Sequence, residues 1–189
     1  ALWLITKYIN ADSSILDFVK NANKFGHEID ALIICYSHGY DRPFVEKLER
    51  EFPKTHLIKV NHSYDMERDL RKRGIRAKDF MPLIYAETLE NYGLLPYSTY
   101  RNTVLIKAML LEMDALFFVD TDVYPLLLKP SHRKSNLPDY ISLKDTKELE
   151  DYELEEIDFF ERHFKYLSQK DVMVTTSDYS GYYIIPPME

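Results

Sequence analysis

The residues of this chain best suited to chemistry are two carboxylates that directly follow an apolar segment. Segment 116–119 reads Leu-Phe-Phe-Val, and Asp120-Thr121-Asp122 comes next. An apolar segment of this length predicts a buried strand, so both acids should lie where that strand leaves the sheet. Carboxylate oxygens are the ligands that hard divalent cations prefer, and such a cation can carry a phosphate. The pattern therefore predicts a metal site at the edge of a sheet.

An alternative for the same residues is an ordinary turn. Asp122 stands before Val123-Tyr124-Pro125 and could cap a turn, and acid-x-acid triplets are frequent in sequences. The buried strand before the acids, and the helix before that strand, favour the metal site.

The first half of the chain alternates strand-like and helix-like segments. Apolar strands that are continuous, with amphipathic helices between them, indicate a parallel sheet covered on both faces. The predicted strands are 2–9, 29–36, 56–60 and 115–119. Three helices are predicted between these strands. The first begins at Asp12 or Ser13 and ends at Gly26, the second begins at Asp41 and ends at Pro53, and the third runs from Ser98 or Thr99 through Met113.

The remaining segments break this alternation. Residues 61–80 are rich in arginine and lysine, and 83–92 predicts a helix. The acidic stretch 144–163 predicts a surface helix with one packed side, whose charges face water. Residues 171–176 and 181–185 predict two short strands around a turn.

Polar side chains follow the predicted strands at the edge where ligands bind in open α/β sheets. Thr6, Lys7 and Tyr8 end the first strand, and Ser37, His38 and Asp41 follow the second. A hydroxyl, a ring and an acid can together hold a nucleoside, with the ring stacking on the base.

Composition limits the function classes. The net charge of −7 and the pI near 5.4 argue against a nucleic-acid binder, which needs a broad basic surface. No apolar run reaches the ~20 residues that span a bilayer, so we expect no membrane segment in this chain. The single cysteine, Cys35, cannot form an intrachain disulfide, which favours a reducing, cytoplasmic location. The chain begins at Ala1, so an upstream segment could have been removed.

A known family shares the central pattern. Tyr100-Arg101-Asn102-Thr103 at the start of a helix, the strand 115–119 and then Asp120-Thr121-Asp122 resemble the core of GT-A-type glycosyltransferases, which use nucleotide sugars. The order of elements is similar over 2–125, and the motifs are specific over 98–125. The resemblance implies a single Rossmann-like α/β domain with a mostly parallel, twisted sheet. Residues 1–125 would be its nucleotide-sugar-binding half, and 126–189 a small mixed acceptor-side segment.

The resemblance also implies roles for the motif residues. Asp122 would ligate Mn²⁺ or Mg²⁺, which bridges the diphosphate of the donor, and Asp120 would share the metal or touch the ribose. Arg101 would lie near the nucleotide or its phosphates, and Asn102 would help to shape that pocket. The metal and the cationic side chains would stabilise the departing nucleoside diphosphate.

Other residues match the family by position. Thr6 and Tyr8 stand where such enzymes hold the base, as does Asp41 after the second strand. Asp178, in the predicted turn 175–181, would be the catalytic base that takes the proton of the acceptor hydroxyl in an inverting reaction. The same segment also reads as an ordinary hairpin turn. The acceptor could be a glycan, a lipid or a protein.

Two other functions remain open from the sequence. A haloacid dehalogenase-type phosphatase also carries Asp-x-Asp after an apolar strand, but its motif usually lies near the start of the domain, whereas here it begins at residue 120. A domain of the transferase type could also bind a nucleotide sugar without turnover.

Overall fold

A computed structural model of the chain describes residues 1–11, 13–86, 97–121, 123–130 and 152–176. The predicted site residues Asp122 and Asp178 lie outside the described residues. The chain divides into two compact units. The first consists of Ala1–Val19 and Glu28–Val123, and the second of Lys20–His27 and Tyr124–Glu189.

The first unit is built on a parallel sheet. Its four strands have the order β3-β2-β1-β4, and every neighbouring pair is parallel. The fold class is therefore α/β with a parallel sheet, as the sequence predicts. The strands are β1 (Leu2–Ile9), β2 (Leu32–Tyr40), β3 (Thr55–Lys59) and β4 (Phe117–Val119).

The two central strands are buried on both faces, which explains their apolar sequences. Leu2 and Leu4 pair with Leu32 and Ile34, and all four side chains are 0 or 1% exposed. Their sequence neighbours Trp3, Ile5, Ile33 and Cys35 point to the opposite face and are also buried. The predicted strand 29–36 lies three residues too early, because β2 starts at Leu32 and continues through the polar residues to Tyr40.

The helices of this unit follow the strands in sequence. They are α1 (Ile15–Lys24), which continues into the second unit, α2 (Arg42–Glu51), α3 (Tyr64–Lys72), α4 (Ala77–Ile84) and α5 (Tyr97–Leu110). The predicted helix 83–92 is wrong over 85–86, because α4 ends at Ile84 and Tyr85 is extended, with φ −121° and ψ 139°. The rest of that prediction, 87–92, lies outside the described residues.

Helix α5 covers one face of the sheet. Tyr100, Val104 and Ala108 repeat every four residues, so they share one side of the helix, and all three belong to the cluster that contains Trp3 and Ile33. The helix ends at Leu110 and not at the predicted Met113, because Glu112 adopts a left-handed φ of 57°. The N–H of Met113 then donates to the carbonyl of Ala108 at 3.1 Å, which closes the helix end.

The second unit contains an antiparallel strand pair and a helix. Strand β5 (Leu126–Pro130) pairs with β6 (Tyr152–Glu156), and helix α6 (Phe159–Leu167) follows. The predicted acidic helix 144–163 is therefore wrong over 152–156, where apolar and acidic residues alternate with the period of a strand. Residues 144–151 lie outside the described residues. The predicted strand 171–176 is also wrong, because these residues form a turn and irregular chain, and 181–185 lies outside the described residues.

A buried asparagine organises the second unit. Asn21, on the last turns of α1, is 0% exposed. Its Nδ2 donates to the carbonyl of Ile157 at 2.7 Å and to Glu156 Oε1 at 3.2 Å, and its Oδ1 accepts from the N–H of Phe159 at 3.3 Å. Lys24 also pairs with Glu156, and the bonds from Lys24 and Asn21 lower the pKa of that carboxyl. The amide thus satisfies its own polar atoms while joining β6 to α6.

Asp158 supplies the start of α6 and a partner for His27. Its Oδ1 accepts from the N–H groups of Phe160 at 3.1 Å and Glu161 at 3.0 Å, and both its oxygens lie 2.8 Å from His27 Nε2. Asp41 holds the same position before α2 but makes no capping hydrogen bond with its side chain. Among the described helices, α6 thus has an aspartate that caps it with its side chain, and α2 has an aspartate at the same position that does not.

We expect Asp158→Ala to lower the free energy of unfolding by about 1–2 kcal/mol, because it removes a helix cap. Asp41→Ala should change that free energy by less than about 0.5 kcal/mol, because no capping bond is lost. Urea unfolding followed by circular dichroism measures both changes. Equal effects of the two substitutions would show that the side chain of Asp158 does not cap α6.

A second prediction concerns His56, which is half-buried on β3. Burial, and then the charge of Lys107, lower the pKa of this imidazole. The unfolded chain therefore binds a proton more readily than the folded one, so stability falls as the pH drops through about 6.5. We expect the loss between pH of about 7.5 and 5.5 to be smaller in His56→Gln than in the parent, as measured by urea unfolding. An identical loss in both proteins would contradict this role of His56.

Candidate functional site

A cleft opens at the carboxyl ends of β1 and β4. It has a volume of about 410 Å³ and lies at the point where the strand order reverses. From β1 the chain continues to β2 and β3 on one side, whereas β4 lies on the other side of β1. Ligands of open α/β sheets bind at such a switch point. The lining residues are Ile5, Thr6, Lys7, Tyr97, Tyr100, Asp120 and Thr121.

The acidic loop is held in place by the start of α1. The hydroxyl of Ser14 donates to the carbonyl of Asp120 at 3.1 Å, and the N–H of Ser14 donates to the carbonyl of Thr121 at 3.3 Å. Ser14 is 0% exposed, so water does not compete for these bonds. The backbone of Asp120-Thr121 is thus fixed where both residues line the cleft.

The first turn of α5 forms an aromatic wall of the cleft. Tyr100 is 2% exposed and belongs to the core, whereas Tyr97 is 56% exposed. Lys7 adds a positive charge at the end of β1, opposite in sign to Asp120. The cleft therefore offers a carboxylate, an ammonium group and an accessible ring, which suit a cation, a phosphate and a planar group respectively.

Strands β1 and β2 pair irregularly beside the cleft. Thr6 is opposite Tyr36 and Tyr8 is opposite Gly39, so Ser37 and His38 together face the single residue Lys7. The ring of Tyr8 lies on Gly39, where a Cβ atom would come within 3.2 Å of a ring carbon. The Thr6 hydroxyl donates to the Tyr8 carbonyl at 3.0 Å.

The structure brings only some of the predicted site residues together. Thr6 and Asp120 line the cleft, while Tyr8, Asp41, Arg101 and Asn102 are not among its lining residues. The guanidinium carbon of Arg101 lies 5.5 Å from the centre of the Phe118 ring, and Asn102 donates to the Leu83 carbonyl at 3.3 Å.

A complete metal centre is not present within the described residues. No group of three or more histidine, cysteine, aspartate or glutamate side chains lies close enough there to hold an ion. Asp120 is the predicted metal ligand that the structure describes, and Asp122 lies outside the described part of the chain.

Sequence reasoning missed two contributors to this cleft. Ser14 was interpretable only as part of a helix start, and its bonds to residues 120 and 121 depend on contacts between distant segments. One feature of the sequence could have indicated Tyr97: it is an aromatic residue at the beginning of the helix that precedes β4. That position brings its ring to the same sheet edge.

Within the part of the chain that the structure describes, no helix has the length and apolar character needed to cross a bilayer. No protein-family model, curated protein or solved structure matches this chain.

We expect Ser14→Ala to lower the free energy of unfolding by about 1 kcal/mol, because it removes a buried hydrogen bond to the acidic loop. Ser37→Ala is the matched control, since the Ser37 hydroxyl contacts the adjacent His38 ring at an exposed position. Urea unfolding compares the two variants. A smaller loss in Ser14→Ala than in Ser37→Ala would show that Ser14 does not anchor the loop.

Proposed function

We propose that this chain is a metal-dependent glycosyltransferase that takes its sugar from a nucleoside diphosphate. One observation carries the proposal: Asp120 and the Thr6-Lys7 segment line the same cleft, at the switch point of a parallel sheet. The resemblance of 98–125 to GT-A-type enzymes supports the same reading, because Asp120 begins the Asp-Thr-Asp motif.

Carboxylate ligands of this kind suit Mg²⁺ or Mn²⁺. Mg²⁺ is usually held by one or two carboxylates, with substrate phosphates and water completing its coordination. Asp120 supplies one such carboxylate at the cleft, and we propose Asp122 as the second. When bound, the ion would neutralise the charge that develops on the departing diphosphate.

The side chains of the cleft would bind and orient the donor. The ammonium group of Lys7 would attract the phosphates, and the exposed ring of Tyr97 offers a flat surface to the base or the sugar. The hydroxyl of Thr6 donates to the Tyr8 carbonyl, so its oxygen lone pairs remain able to accept a hydrogen bond from the ligand. The Ser14 bonds keep Asp120 in place while the donor binds.

We keep three further assignments as parts of this proposal. Arg101 would contribute charge near the nucleotide, and Tyr8 and Asp41 would contact the nucleobase. Asp178 would serve as the general base that deprotonates the hydroxyl of a glycan, lipid or protein acceptor.

The test is donor binding by calorimetry with UDP and GDP, with and without Mn²⁺. We expect Asp120→Asn to weaken metal-dependent binding by about tenfold or more, because a carboxylate ligand becomes a neutral amide. Asp114→Asn is the matched control, since Asp114 precedes β4 at the opposite end of the strand and is exposed. Binding that is equal in Asp120→Asn and in the parent would overturn the role of Asp120.

Turnover is measured separately, as release of nucleoside diphosphate from UDP- and GDP-sugars with Mn²⁺. Release that depends on Asp120 supports the transferase. Metal-dependent binding without any release would instead indicate a nucleotide-sugar-binding module, and phosphate release from p-nitrophenyl phosphate would indicate a phosphatase.

A further inference from the structure

A second cleft, which we call the β3 groove, lies along the outer strand of the described sheet. Its volume is about 320 Å³, and it is bordered by β3, the start of α3 and the last turns of α5. Among the residues that the structure describes, none lines both this groove and the cleft that contains Asp120. Its polar lining residues include His56, Lys59, His62, Ser63, Asp65 and Lys107.

The β3 groove concentrates positive charge in a chain whose net charge is −7. Lys59 and Lys107 are both half-buried, and neither forms an ion pair with any residue that the structure describes. Asp65 also lines the groove, but its carboxylate is 85% exposed and pairs with Arg68 at 2.9 Å. An anion bound between these two cationic side chains would be stabilised, because opposite charges attract more strongly where water is partly excluded.

Ser63 gives an independent sign of a missing ligand. The residue is 4% exposed, and its hydroxyl oxygen is fully buried without a hydrogen-bond partner. Buried hydroxyl groups in native proteins almost always have a partner. Ser63 occupies the cap position of α3 yet does not bond to the first turn with its side chain. Because Ser63 lines the groove, a change of its side-chain rotamer would bring the hydroxyl to a molecule bound there.

The backbone supplies further donors of the same kind. The first N–H groups of a helix have no carbonyl partner within it, and the helix dipole adds partial positive charge there. Helix α3 has nine residues, and Ser63, Asp65 and Met66 from its start line the groove. Half-buried lysines, a buried hydroxyl and a helix N-terminus together form the set of donors that binds phosphate oxygens.

We propose that the β3 groove is a binding site for a phosphate group, held by Lys59, Lys107, Ser63 and the N-terminus of α3. The phosphate can come from inorganic phosphate or from the terminal group of a phosphomonoester. The rings of His56 and His62 border the site. The β3 groove is separate from the candidate donor cleft, so this inference does not depend on the proposed glycosyltransferase function.

The test is a titration with inorganic phosphate and, in parallel, with glycerol 3-phosphate, at constant ionic strength set with chloride. Binding is followed by NMR through the ring resonances of His56 and His62, which report on this groove alone. We expect saturable shifts with at least one of the two probes. Tighter binding of glycerol 3-phosphate would assign a phosphomonoester ligand, and tighter binding of inorganic phosphate would assign the free ion. If neither probe shifts the ring resonances up to its solubility limit, the proposal is overturned.

Three variants locate the bound phosphate. Lys107→Gln should weaken binding by about tenfold, which is the effect of losing one charge-assisted hydrogen bond. Lys78→Gln removes the same charge from an exposed position on α4 and should leave the affinity unchanged within about twofold, because exposed charges are screened. Lys7→Gln, in the other cleft, should also leave it unchanged. Loss of binding in Lys7→Gln with full binding in Lys107→Gln would overturn the proposal.

Ser63→Ala separates a ligand-binding hydroxyl from a structural one. Without phosphate, this variant should be at least as stable as the parent to urea, because the hydroxyl has no partner to lose. Its affinity for phosphate should nevertheless fall several-fold, by the loss of one hydrogen bond to a charged group. A destabilised Ser63→Ala protein that binds phosphate as the parent does would show that the hydroxyl is structural, and would contradict the proposal.

Discussion

The pairing of β4 with β1 is the contact on which the candidate site depends. Three residue pairs, from Leu2 with Phe117 to Leu4 with Val119, join segments that are more than a hundred residues apart in sequence. This short ladder places the end of β4, which Asp120 follows, beside the end of β1. The entropy lost in closing so long a loop is repaid by the burial of Leu2, Leu4 and Val119. The chemistry at the sheet edge is therefore a product of the apolar core beneath it.

The two ends of the cleft are held by different kinds of interaction. On the α5 side, Tyr100 anchors the first turn of the helix in the cluster around Trp3, so the accessible Tyr97 stands on a packed base. On the α1 side, Ser14 holds the backbone of the acidic loop by hydrogen bonds. Apolar packing fits side chains closely but imposes no single direction, whereas hydrogen bonds require defined directions. The backbone of the acidic loop is therefore held by directional bonds, and the start of α5 by packing.

Local patterns predicted the parallel sheet well and the contacts between distant segments poorly. The predicted bounds of β1 match the structure because the strand begins with an apolar run, and Asp120 could be placed because it follows another such run. The strand 152–156 contradicts the predicted helix, because the alternation of its residues, and not their acidic content, fits the local structure. The partners of Ser14, Asn21 and His27 lie more than a hundred residues away, and no periodicity reveals them. Serine is a common helix cap, and only the folded chain shows that the hydroxyl of Ser63, at the cap position of α3, lacks a partner.

The irregular pairing of β1 with β2 determines which residue lies opposite Tyr8. If the same residues paired regularly, His38, and not Gly39, would occupy that place. A side chain there would meet the tyrosine ring, as the 3.2 Å approach at Gly39 shows. The bulge at Ser37-His38 therefore brings the residue that has no Cβ atom to the ring. A related sequence that keeps this bulge and an aromatic residue at position 8 should also keep a glycine three residues after the position of Tyr36.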